Sequence, residues 1–95
     1  MHRHTVLFNL KEDANETQVI ERLRELAALP TVVAMVLEEN IVPISDNSPY
    51  KWCLIGDFND TDAREAYEKH ETHVDIIRTT FLPNISGFIM SDINF

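Results

Sequence analysis

With 95 residues, the chain has room for one domain around one modest core. Sixteen acidic residues against eight Lys and Arg give a net charge of -8, which argues against a nucleic-acid partner because phosphate affinity is built from clustered cations. No stretch approaches the roughly 20 apolar residues of a membrane span. The lone Cys53 cannot close an internal disulfide and the opening lacks the basic-then-apolar order of a secretory signal, so the cytoplasm is the expected compartment.

Residues 3–10 place His4, Val6, Phe8 and Leu10 on one side and Thr5 and Leu7 on the other, the period of a strand that is apolar on both faces. Asn15, followed three positions later by Gln18, has the spacing of a capping box. Behind it Val19, Ile20, Leu23, Leu26 and Ala27 recur at threes and fours, which predicts a helix that Pro30 ends. The Val-rich residues 31–37 are too short before Glu38, Glu39 and Asn40 for another helix and read as a second strand with its far end exposed. Two prolines with Ser45, Asp46, Asn47 and Ser48 make residues 41–49 a loop of moderate length in preference to a tight hairpin.

Residues 50–58 alternate Tyr50, Trp52, Leu54, Gly56 and Phe58 against Lys51, Cys53, Ile55 and Asp57, a third strand with its aromatics on one side. Asn59, Asp60, Thr61 and Asp62 all offer an N-cap for a helix running to residue 69 or 70. A second helical piece over residues 72–82 presents Val74, Ile77 and Phe81 before Pro83 halts it. Residues 85–95 form a last strand, with Phe88, Met90, Asp92 and Asn94 on one side and Ile85, Gly87, Ile89, Ser91 and Ile93 on the other.

The order βαββαβ predicts an α+β fold, a ferredoxin-like protomer in which both helices cover one face of a four-stranded antiparallel sheet. Nothing in so short a chain remains to cover the other face, although its strands are apolar on both sides. A homodimer through the open sheet face solves that problem, since a second copy supplies the missing half of the core.

His73 is the first candidate for chemistry. An imidazole titrates near neutrality and can take a proton alpha to a carbonyl, although a histidine between helices can equally serve by bonding a backbone carbonyl. Tyr67, His70 and His73 lie three apart and share a helical face if the helix is unbroken, so a tyrosine hydroxyl could hold an enolate oxygen there, or simply pack at a rim. His4 sits among apolar strand neighbours, where a buried histidine with one satisfied partner is the plain alternative. His4, His70 and His73 are the one set to weigh as metal ligands, and their spacing lacks a ligand array, so no metal is expected. Cys53 alternates with Trp52 and reads as a small hydrophobe, not a nucleophile.

The opening from His2 to Lys11 and the stretch Ala66-Tyr67-x-x-His70-x-x-His73-Val74, taken with the element order, resemble the stress-responsive A/B barrel domain family over essentially the whole chain. The resemblance implies a protomer whose sheet packs on a partner's to form a dimeric α/β barrel, sometimes assembled further. Its members include a stress-associated oligomer and a cofactor-free polyketide cyclase that performs an intramolecular aldol condensation. Carried over by position, the catalytic group is His73 as base, Tyr67 assisting and His4 in the pocket, with His70, Trp52 and Leu26 beside them. Phe8 joins these three as a candidate for the substrate-binding wall, although an aromatic such as Trp52 in a third strand is more often core or dimer interface. Trp52 and Leu26 stand where that cyclase has a histidine and a tyrosine, so a related pocket is expected and not the same cyclisation.

The expected function is a small-molecule pocket without a cofactor, acting on a hydrophobic carbonyl compound by cyclase, isomerase or lyase chemistry. The competing readings are a non-enzymatic stress or structural oligomer and a monooxygenase-like or heme-binding barrel. The acidic residues 57–75 argue against a substrate bearing anionic CoA.

Overall fold

In the computed structural model, which describes residues 1–95, the chain runs β1 (His2–Leu10), α1 (Glu16–Arg24), β2 (Val32–Glu39), β3 (Trp52–Phe58), α2 (Thr61–Lys69), α3 (Glu71–Ile76) and β4 (Ile85–Asn94). This is the expected ferredoxin-like α+β arrangement. The four strands form one antiparallel sheet in the order β2-β3-β1-β4. The register sets His4 opposite both Gly56 and Asp92, and Phe8 opposite both Trp52 and Phe88. Because side chains alternate along a strand, that register places His2, His4, Val6 and Phe8 on one face with Trp52, Leu54 and Phe58.

Local chemistry explains where the helices begin. The Asn15 side chain accepts from the Gln18 amide at 3.2 Å, and Asp60, the residue chosen among four candidates, accepts from the Ala63 amide at 2.8 Å. Each satisfies a backbone donor that the first helical turn leaves free. After α1 the chain tightens into a 3₁₀ turn at Glu25–Ala28, and Pro30 closes the helical path. Thr31 then takes a left-handed conformation with φ of 75°, a strained choice for a β-branched residue. Its hydroxyl donates to the Ala63 carbonyl at 2.8 Å and so ties the turn to α2.

One boundary holds: the helix after β3 ends at His70 as expected, with a ψ of 135° outside the helical region, so Tyr67, His70 and His73 do not form one continuous face. Several others differ from those predicted. The helical path does not halt at Pro83: a π turn at Ile77–Phe81 leads into a last turn, Leu82–Asn84, and Ile85 is the first extended residue. Proline near the start of a turn loses no intrahelical bond, which is why it is accommodated. β2 continues into Glu38 and Glu39, and β3 starts at Trp52 and not at Tyr50. The intervening loop carries a tight turn at its tip, where Ser45 and Ser48 exchange two backbone bonds of 3.1 Å.

The core lies between the helices and the sheet and is centred on Phe8, Phe58, Leu23, Leu26, Ile76 and Tyr67, all essentially inaccessible. Across the sheet no element of the chain covers the other face. Val36, Ile89 and Ile93 there are 58%, 50% and 53% exposed. No helix is long and apolar enough to cross a membrane.

Candidate active site

A cavity of about 210 Å³ opens between the sheet and the helices. β1 contributes His4, Val6 and Phe8, the α1 segment Leu23 and Leu26, and β4 Phe88 and Met90, while Arg64, Tyr67, Glu68 and His73 come from α2 and α3. Eleven of its fifteen lining residues are hydrophobic, which suits a small apolar molecule oriented by a few polar groups.

Two of those polar groups, His4 and Arg64, approach Asp92. Its Oδ1 lies 2.9 Å from His4 Nδ1 and 2.7 Å from His2 Nε2. Burial raises the Asp92 carboxyl, but the hydrogen bonds and charges of His2, His4 and Arg64 outweigh it and hold the group below the usual carboxylate range. The ionised carboxylate can only accept, so His4 Nδ1 and His2 Nε2 both carry hydrogen. Thr61 completes the network with its Oγ1 at 3.1 Å from His2 Nδ1. With Nδ1 of His4 committed to Asp92, Nε2 of neutral His4 is the acceptor.

Burial, followed by the nearby Arg64 charge, lowers the affinity of His4 for a second proton despite Asp92. The same two causes, in the same order, lower that of His73, while Glu68 pulls the other way. Both imidazoles are therefore neutral at pH 7. Tyr67 packs against His73 with ring centroids 4.5 Å apart, and burial pushes its hydroxyl up to about 12, so it stays protonated. The cavity thus holds a neutral base beside a protonated hydroxyl, the pair that enolisation of a carbonyl compound needs.

Among the residues singled out from the sequence, His4, Tyr67, His73, Leu26 and Phe8 meet in the cavity wall. His70 does not. Its ring is turned into the helix junction, where Nδ1 accepts from the Thr72 amide at 3.1 Å, and so the three histidines never converge as a ligand set. Trp52 is core beneath β3, outside the cavity wall, with its indole N–H buried and unpartnered. Cys53 is half-buried on the open sheet face, where burial raises its thiol above the ordinary range.

Sequence reasoning missed Asp92, Arg64 and Glu68. Asp92 was visible as a charge sharing a strand face with Phe88 and Met90, and Arg64 as a cation one helical turn before Tyr67. Neither signal names its partners, because the contacts to His4 span 88 and 60 positions.

The sequence profile of the stress responsive A/B barrel domain matches residues 3–95. No curated protein matches the chain. Among solved structures, it is similar to a Dabb family protein with a ferredoxin-like fold from Mesorhizobium loti, at 26% identity and a TM-score of 0.85 over 99% of this chain and 95% of that one. It is also similar to a dimeric ferredoxin-like protein of unknown function from Thermobifida fusca, at 21% identity and a TM-score of 0.81, covering 99% of this chain and 90% of that one. A hydroxynitrile lyase from Passiflora edulis shares the fold at 14% identity and a TM-score of 0.82, with 98% and 93% of the two chains covered.

Proposed function

The chain belongs to the stress responsive A/B barrel domain family, and from that premise we propose that it is a homodimeric, cofactor-free enzyme of cyclase, isomerase or lyase type acting on a small hydrophobic carbonyl compound. The observation that carries this reading is neutral His73 packed edge-on against protonated Tyr67, ring centroids 4.5 Å apart, inside a mostly apolar cavity. In the mechanism, the substrate's apolar part lies against Phe8, Leu26 and Phe81, with its carbonyl oxygen toward Tyr67. His73 takes the alpha proton, the C–H electron pair moves onto the carbonyl oxygen, and the Tyr67 hydroxyl donates a hydrogen bond to the enolate so formed. His4, held in one tautomer by Asp92, accepts a hydrogen bond from the substrate and orients it. The enolate then closes on a second carbonyl, is reprotonated elsewhere, or expels a leaving group.

The dimer forms through the open sheet face. Its support is the uncovered apolar surface around Val36, Ile89 and Ile93, together with the dimeric state of the Thermobifida protein of the same fold. The same frame carries lyase activity in the Passiflora protein.

Exchange of alpha protons for deuterium in a panel of hydrophobic ketones and aldehydes, followed by NMR, tests the chemistry across the whole substrate class. The wild type accelerates exchange, His73→Ala loses about 10²-fold or more, and Tyr67→Phe loses less. Exchange that survives in His73→Ala removes His73 from the role of base. Absence of exchange and of cavity binding across the series removes the reading as a whole.

A further inference from the structure

Arg64 is the one cation in the cavity wall, and its side chain is only 12% exposed. A guanidinium carries five N–H donors and stays charged in any protein setting. Few of these donors are used. Nη1 reaches Glu68 Oε2 at 3.3 Å, a long contact. Nε is buried without a hydrogen-bond partner and lies 3.5 Å from Asp92 Oδ1, an ion-pair distance. Nη2 lies 3.4 Å from His4 Nδ1, but that nitrogen already bears the hydrogen it gives to Asp92, so this approach is no hydrogen bond.

Asp92 compensates the charge at ion-pair distance but leaves the donors unspent, because the oxygen nearest Arg64 is already taking both histidine N–H groups. Glu68 belongs to the mouth of the cavity. Its side chain is 60% exposed, and its pairing with Arg64 is an i,i+4 contact of the solvent-screened kind that contributes little. A buried, always-charged group with unspent donors is costly to maintain unless something else takes those donors. The planar fork matches a carboxylate, and the rest of the wall is apolar.

We propose that Arg64 determines specificity by binding the carboxylate of a hydrophobic carboxylic acid seated in the cavity, and that Glu68 holds the guanidinium until that carboxylate displaces it. This rests on the reading of the cavity as the ligand site and narrows its substrate class to keto acids with an apolar tail. The net charge of -8 opposes an anion at long range. That opposition is screened beyond about 10 Å in ordinary salt, whereas the Arg64 contact acts at hydrogen-bond distance in an apolar wall. The same guanidinium sits over the Tyr67 ring, 5.6 Å from its centroid, so a carboxylate held there brings the neighbouring carbonyl beside the tyrosine and His73.

The test compares a carboxylate with its neutral twin. Hexanoate, octanoate and decanoate are titrated by calorimetry against hexanamide, octanamide and decanamide, using the wild type, Arg64→Gln and Glu68→Gln. The wild type should favour the carboxylate of the best-fitting length by about tenfold. Arg64→Gln should abolish that preference while keeping the amide affinity, and Glu68→Gln should tighten carboxylate binding a few-fold. Equal binding of acid and amide by the wild type, or undiminished carboxylate binding by folded Arg64→Gln, overturns the proposal and leaves the cavity reading standing. Binding of none of the six compounds overturns both. If Arg64→Gln does not fold, the acid-to-amide ratio in the wild type and the direction of the Glu68→Gln effect decide the matter.

Discussion

Under the helices, the sheet buries two histidines from β1 against Asp92 of β4 inside a shell of Leu, Phe and Val, while on its other side the same strands turn Val36, Ile89 and Ile93 toward solvent. The usual division, apolar inside and polar outside, is locally reversed on both faces. On the covered side an unpaired polar group is costly, and His2, His4 and Asp92 meet that cost by bonding one another in a network with a fixed tautomer. On the open side the charges of the two central strands are neutralised in advance: Arg3 and Asp57 face each other in the register and make two bonds, of 2.8 and 2.9 Å. The Arg3 hydrogen bond holds the Asp57 carboxyl below its usual range. A covered face built this way positions chemistry, and an open face built this way is suited to a second copy.

The largest expected effect comes from charging the open face. Ile89→Glu places a carboxylate in the proposed interface twice, once per protomer, and an unpaired buried charge costs about 3–5 kcal/mol. Sedimentation should show monomers where the wild type sediments as a dimer; a dimer that persists would move the interface elsewhere. Next is the covered face. Phe58→Ala, at a fully buried position against His2 and Tyr67, should cost about 3–5 kcal/mol of unfolding free energy in denaturant titration. Ile89→Ala in a monomeric background should cost far less, and similar losses at the two sites would erase the contrast between the faces.

Smaller, and confined to the covered side, is Asp92→Ala, which strands two imidazole N–H groups and should cost about 3 kcal/mol near pH 7. The pH dependence has a definite sign. His4 and His73 bind a proton less readily when folded, so stability is full above their ordinary value of about 6.5 and falls with pH until the lowered folded values are passed. Asp92 adds a second loss below about 3.9, the ordinary carboxyl value, as its depressed folded value is approached. Thermal melts between about pH 7 and pH 5 should show the first step, and His73→Ala should flatten it; a melt insensitive to pH over that interval contradicts the neutral-histidine assignment. The smallest effect is kinetic. Cys53 lies on the open face, so its alkylation should be slow in the wild type and a few-fold faster in monomeric Ile89→Glu, with equal rates placing it outside the interface.

Alternation, capping and composition are local properties, and they sufficed for the strands, for the Asn15 cap and for the assignment of residues to the two sheet faces, while the second cap was narrowed to four residues from which the structure selects Asp60. The face carrying His4 and Phe8 and the helical stretch carrying Tyr67 and His73 were legible in that way. His70 and Trp52 lie outside the cavity wall for different reasons: a local break in the helix turned His70 into a cap, whereas the packing of helices on sheet buried Trp52 in the core.

What the linear pattern could not contain is the meeting of β1, β4 and α2 that sets Asp92 and Arg64 beside His4. Strand order and register are chosen by how the whole sheet buries its apolar face, and a shift of a single residue would have sent Asp92 to the other side. The sequence therefore carried the kinds of side chain available for chemistry. Folding selected which of them share a cavity, and it alone put one of the eight Lys and Arg side chains, Arg64, into that apolar wall.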